Sequence, residues 1–161
     1  MKGNEKIIKA LNQLLADELT AINQYMLHSE MCDNWGYEKL HKAIERQAID
    51  EMHHAEWLIQ RILFLDGMPE VSKLNPMKIG KNVKDIIGND EGAEVGAVKA
   101  YNKAINLAHE VADQATVDLL IKILKMEEGH VDWAEMQRYQ IETMGLENYL
   151  TNQTEGSAGK S

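Results

Sequence analysis

The chain carries Glu-x-x-His twice, as Glu51-Met52-His53-His54 and as Glu127-Glu128-Gly129-His130, each with a tryptophan three positions further on, Trp57 and Trp133. On a helix, residues i and i+3 share a face, so each motif sets a carboxylate beside an imidazole. Oxygen and nitrogen donors without thiolates suit iron or manganese. One such motif alone is ordinarily solvated surface. Two at a fixed offset ask for another explanation.

The offset is 76 positions for Glu51 to Glu127, His54 to His130 and Trp57 to Trp133, and it also pairs Glu18 with Glu94 and Tyr25 with Tyr101. Glu18 and Tyr25 are seven apart, two helical turns, and so share a face; Glu94 and Tyr101 do the same. The chain therefore reads as two copies of one helical hairpin. Its six ligand-type residues run in the order Glu, Glu-x-x-His, Glu, Glu-x-x-His, one set per helix, which is the pattern of di-iron carboxylate bundles. Four buried carboxylates would repel one another and resist ionisation; two divalent metals would balance them. Taken singly, Glu18 and Glu94 are ordinary surface residues, and the tyrosines and tryptophans ordinary core.

Four helices must position these groups. Apolar residues recur at three- and four-residue steps over about Asn4–Asp33 and about Tyr37–Leu65. Two further helices are expected over about Asn82–Ala112 and Gln114–Met144, with Asn82 and Asp113 as N-caps and Gly145 ending the last. "LENYL" is a candidate short fifth helix. Both prolines, Pro69 and Pro76, fall in the one long linker, 65–82. The expected fold is all-α, a four-helix bundle of the ferritin-like type with one long crossover and a short C-terminal helix. The bundle occupies 1–150, and the polar tail 151–161 is expected to be disordered. Gly88, Gly92 and Gly96 recur every fourth residue. They mark either a close approach to another helix or a weak early stretch of the third one.

Composition narrows the class. Among 161 residues, acidic groups outnumber basic ones for a net charge of −9, which disfavours nucleic acid and anionic membranes as partners and suits cations. Cys32 is the single cysteine, so neither a disulfide within the chain nor a thiolate-rich metal site can form; it reads as a partly buried residue near a helix end. The N-terminus lacks the apolar run of a signal peptide, and no stretch approaches a membrane span, so the expected compartment is the cytoplasm.

At these residues the sequence resembles the bacterioferritin family. The likeness runs through "MKG" at the start, "DELTAINQYMLH" (17–28), "NWG" (34–36), "IDEMHHAE" (49–56), "RILFLDGMP" (61–69), "EEGHVDW" (127–133) and "MGLENYL" (144–150). It implies a hollow cage of 24 subunits built from two-fold dimers, with a ferroxidase centre in each bundle. Glu18 and His54 would bind one iron, Glu94 and His130 the other, and Glu51 and Glu127 would bridge. Fe(II) would be oxidised by oxygen or hydrogen peroxide and stored as ferric mineral. Tyr25 would lie near the irons and could supply an electron. Met52, otherwise a packing methionine, would ligate a haem shared by two subunits, one methionine from each, with a ferredoxin-type reductant assisting iron release. Asp50 would face the cavity. Some members carry a histidine one turn earlier that completes an inner-surface iron site, but Arg46 stands there, which argues against such a site. Asn34, Asp66 and Asp132 match a pore that admits iron, with Asp66 in place of a common glutamate. Other readings are a peroxide reductase of the rubrerythrin type, disfavoured by the lone cysteine, a metal-free haem-binding shell subunit, and a plain helical interaction protein. The six ligand-type residues argue against the last two.

Overall fold

The computed structural model describes residues 1–156. The helices are α1 (Glu5–Asn34), α2 (Glu38–Phe64), α3 (Val83–Glu110), α4 (Gln114–Met144) and α5 (Leu146–Thr151). The expected all-α bundle with a short fifth helix is present, and the helix ends fall within two residues of the sequence reading. Local chemistry sets those ends. Asn4, Asn82 and Asp113 accept hydrogen bonds from the first-turn N–H groups of Lys6, Asp85 and Thr116, supplying partners that the helix itself cannot. Gly145 follows α4 at φ 82°, a conformation that glycine adopts at no steric cost.

Short turns make α1–α2 and α3–α4 two hairpins, and 65–82 crosses between them. The crossover is strapped along α1 by polar contacts that run in register. The Asn12 side chain binds the Met68 carbonyl and the Glu70 N–H, Thr20 Oγ1 accepts from Asn75 N at 2.8 Å, Gln24 Oε1 from Lys78 N at 3.0 Å and His28 Nε2 from Gly80 N at 2.9 Å. From Asn12 to His28 the helix rises about 24 Å, so the strap spans about half the length of α1. Gly80 is required here, because a Cβ would lie 2.6 Å from the Ile86 nitrogen.

The core is divided. One apolar cluster gathers Ile7, Leu11, Leu15, Leu58, Ile62 and Leu120, and the other Cys32, Leu40, Ile44, Ile86, Ile141 and Tyr149. Burial drives both at roughly 25 cal/mol per Å² of apolar surface removed from water. Polar residues occupy the layer between them.

Three expectations change. Cys32 is fully rather than partly buried, and burial pushes its thiol up to about 12. The polar tail is placed over its first residues: Thr151 ends α5, the Gln153 carbonyl accepts from Lys39 N at 3.0 Å, and Glu155 pairs with Lys42. Residues 157–161 lie outside the described residues. Finally, no other helix or loop of the described residues lies within 4 Å of a Cβ built at Gly88, Gly92 or Gly96, so these glycines serve no close approach among the described residues. Glycine inside an exposed helix costs up to about 1 kcal/mol against alanine. Gly92→Ala should therefore raise the unfolding free energy by about 0.5–1 kcal/mol, measured by chemical denaturation. A loss of stability would mean that a neighbouring subunit needs the space.

Candidate metal centre

Glu18 on α1, Glu51 and His54 on α2, Glu94 on α3, and Glu127 and His130 on α4 converge in the polar layer, and none is more than 8% exposed. Helical period explains the convergence: each sits on the inward stripe of its helix.

Each imidazole points one nitrogen at three carboxylates. His54 Nδ1 lies 2.9 Å from Glu127, 3.1 Å from Glu51 and 3.5 Å from Glu18. His130 Nδ1 lies 3.1 Å from Glu51, 3.3 Å from Glu94 and 3.5 Å from Glu127. Two overlapping donor sets result, Glu18–Glu51–His54–Glu127 and Glu51–Glu94–Glu127–His130. Glu51 and Glu127 belong to both.

The tyrosines lock the halves crosswise. Tyr25 Oη donates to Glu94 Oε1 at 2.6 Å, and Tyr101 Oη donates to Glu18 Oε1 at 2.5 Å. Each phenol thus fixes the carboxylate of the other hairpin. The outer imidazole nitrogens break the symmetry. His130 Nε2 faces the Asp50 carboxylate at 3.0 Å, while His54 Nε2 faces the Met126 sulfur at 3.3 Å. Asp50 and Met126 are themselves 76 positions apart. The two halves are built alike but oriented by partners of different chemistry.

The electrostatics are those of crowded acids around two bases. Burial, and then the Glu51 charge, hold Glu18 well above the ordinary carboxylate value, and burial raises Glu51. Burial and a hydrogen bond with Glu127 push Glu94 up to about 8. Burial alone would lower His54, but hydrogen bonds to Glu127, Glu18 and Glu51 overcome it and push it up to about 12; His130 rises for the same reason. Burial would raise Glu127, yet bonds from Glu94 and the two histidines hold it below the ordinary range. Glu18 Oε2 and both oxygens of Glu127 remain buried without a well-directed hydrogen bond. The single Nδ1 proton of His54, although 2.9 Å from Glu127, is shared among three acids. Orphaned carboxylate oxygens in a ring of oxygen and nitrogen donors fit a pair of cations.

A cavity of about 410 Å³ between α1, α3 and the crossover reaches this layer, with Glu18, Glu51, Glu94 and Glu127 among its walls. Five other residues singled out in the sequence lie apart from the cluster. Met52 is on the outer side of α2, 45% exposed. Arg46, Asn34, Asp66 and Asp132 are exposed. Trp57 sets its ring at a tilt of 38° to that of His54, with centroids 5.7 Å apart, and Trp133 packs against the second apolar cluster. Sequence reasoning missed the Asp50 and Met126 contacts, and it missed a buried chain beside the site. Asp90 Oδ1 accepts from Gln24 Nε2 and pairs with His28 Nδ1, both at 2.8 Å. The signal was available: Gln24 and His28 are four apart on α1, and Asp90 lies one turn before Glu94.

Residues 8–144 match the family described as "Ferritin-like domain". The chain is 40% identical to a protein of a Synechocystis species named "Bacterial ferritin", over 95% of this chain and 99% of that one. It is 38% identical to a Brucella melitensis protein named "Bacterioferritin", over 92% of both chains. A protein of the same name from Mycolicibacterium paratuberculosis is also 38% identical, over 92% of this chain and 94% of its own.

The shifted groups give the metal-free protein a pH dependence of definite sign. Glu94 moves from 4.5 to about 8 on folding, so its contribution is complete below 4.5, falls as pH rises and is gone above about 8. His54 acts in the same sense, complete below 6.5 and lost as pH rises toward about 12. Glu127 opposes them only in acid, where its contribution is lost as pH falls below 4.5. The Tm of the metal-free protein should therefore fall from about pH 5 to about pH 9, and saturating divalent metal should flatten that slope. Calorimetry of both forms across this range checks it; a metal-free Tm rising with pH would contradict the assignment.

Proposed function

The chain belongs to the bacterioferritin family, and from that membership we propose that it stores and detoxifies iron, using the buried layer as a ferroxidase centre. Fe(II) is oxidised to Fe(III) by oxygen or hydrogen peroxide, and ferric mineral collects inside a cage of 24 subunits built from two-fold dimers in the cytoplasm. One observation carries this reading: two donor sets that share Glu51 and Glu127 around orphaned carboxylate oxygens. Glu18 and His54 would hold one iron, Glu94 and His130 the other, and the two shared glutamates would bridge. Two irons held together would supply electrons to the oxidant as a pair.

The remaining work falls to the chain's own groups. Glu18 and Glu94, raised by burial, give up their protons as cations arrive, so neutrality is kept in the apolar interior. Tyr101 and Tyr25 fix the orientation of these two carboxylates in advance. Tyr25 is also suited to yield one electron, because Glu94 Oε1, 2.6 Å away, can take the phenolic proton as the electron leaves. Asp50 orients His130 through Nε2 and raises its basicity as a ligand. It thereby acts on the centre itself, not with a histidine one turn away, where Arg46 stands.

Met52 offers a thioether on the outer side of α2, with Ile49, 44% exposed, three residues before it. A haem held between two copies of this surface would take one methionine from each and pass electrons inward for iron release, with a ferredoxin-type protein as reductant.

Aerobic Fe(II) oxidation should show a fast phase saturating at about two irons per chain. A Glu18→Ala, Glu94→Ala double variant should lose that phase; equal slow oxidation by both proteins would sink the ferroxidase reading. For the haem, Met52→Leu should abolish haem absorbance in protein reconstituted with haem. Retention of the unmodified spectrum would remove Met52 as the ligand.

A further inference from the structure

Away from the central layer, one other group of metal-type donors converges among the described residues. Glu30 on α1 and His41 and Glu45 on α2 each offer one donor atom, and these atoms lie within 4.8 Å of one another. His41 and Glu45 are four apart on one helix face, and Glu30 reaches them across the hairpin. The imidazole is held in place. Its Nδ1 lies 3.1 Å from the carbonyl oxygen of Ser29 and 2.9 Å from the hydroxyl of the same residue. A carbonyl only accepts, so Nδ1 carries the hydrogen and donates it. In the neutral ring the lone pair is then on Nε2, which lies 3.5 Å from Glu45 Oε2. A lone pair facing a carboxylate is unfavourable, and a cation on Nε2, proton or metal ion, removes the conflict.

We propose that Glu30, His41 and Glu45 form a second metal site, which binds one divalent transition-metal ion such as Zn(II) or Co(II). A ring nitrogen facing the ion while the other donates to a backbone carbonyl is the orientation that metal-bound histidines adopt. The His41 side chain is only 19% exposed, so its rotamer is fixed by packing, whereas Glu45 is 51% exposed and Glu30 is also at the surface. The site is thus half built and open to solvent. Two carboxylates and a neutral imidazole carry −2, which one dication cancels. A nitrogen donor selects transition metals over Mg(II) and Ca(II), which take oxygen ligands. Three protein ligands leave a coordination position for water, so the ion exchanges. The site shares no residue with the central layer, and it stands or falls separately from the ferroxidase reading.

The test counts ions on the full-length, assembled, metal-free protein by equilibrium dialysis against Zn(II), repeated with Co(II) under nitrogen. Native protein should bind one more ion per chain than His41→Gln. Glu45→Gln, an exposed change that leaves the Ser29 contacts intact, should weaken the same ion at least tenfold. A Glu18→Gln, Glu94→Gln double variant should keep the ion that His41→Gln loses. Equal stoichiometry in native and His41→Gln protein would overturn the site. Loss of the extra ion in the Glu18, Glu94 variant would also overturn it, by assigning that ion to the central layer.

Discussion

Four carboxylates enclosed by two apolar clusters set the terms for this molecule. Buried charges of one sign within a few ångströms of each other are unfavourable in a low-dielectric interior, and an apolar core offers them no water. The chain meets this constraint by placing two imidazoles among them, keeping Glu18 and Glu94 prone to hold protons, and leaving Glu127 ionised with unclaimed oxygens. This arrangement has no purpose as core packing. Its donor set is that of a candidate site for cations.

The fold follows from the need to hold that arrangement. Long helices bring one inward carboxylate each to a common level, and apolar residues on both sides keep the level dry. The crossover could have been a slack connection. Instead Thr20, Gln24 and His28 fasten its backbone to α1 at successive turns, and Asp90 ties Gln24 and His28 to α3. A cavity survives beside the strap and reaches the four acids.

Much of this was legible in the sequence because it depends on period and type. Asn82 and Asp113 announced helix starts through their side-chain acceptors, and the 76-residue offset announced which polar residues share an inward level. What was not legible depends on which helices face each other at a given height. Tyr25 was expected near the cluster, but its pairing with Glu94 of the other hairpin requires the packed bundle. The Asp50 and Met126 contacts were hidden for the same reason, since each crosses to the histidine of the opposite Glu-x-x-His helix. Gly88, Gly92 and Gly96 show the converse. A suggestive spacing on one helix found no neighbour among the described residues, because glycine spacing describes a surface and not what lies against it.

The crosswise tyrosines have a consequence for the history of the chain. Each hairpin holds the carboxylate that its counterpart needs and lacks the phenol that steadies its own. Two halves joined in this way are not independent in sequence. A change at Tyr25 is felt at Glu94, and a change at Tyr101 at Glu18. The partners of the outer histidine nitrogens lie outside this lock, and there the two halves differ, with aspartate on one side and methionine on the other. An ancestral repeat would thus remain visible where the halves are interlocked and fade where each was free to specialise.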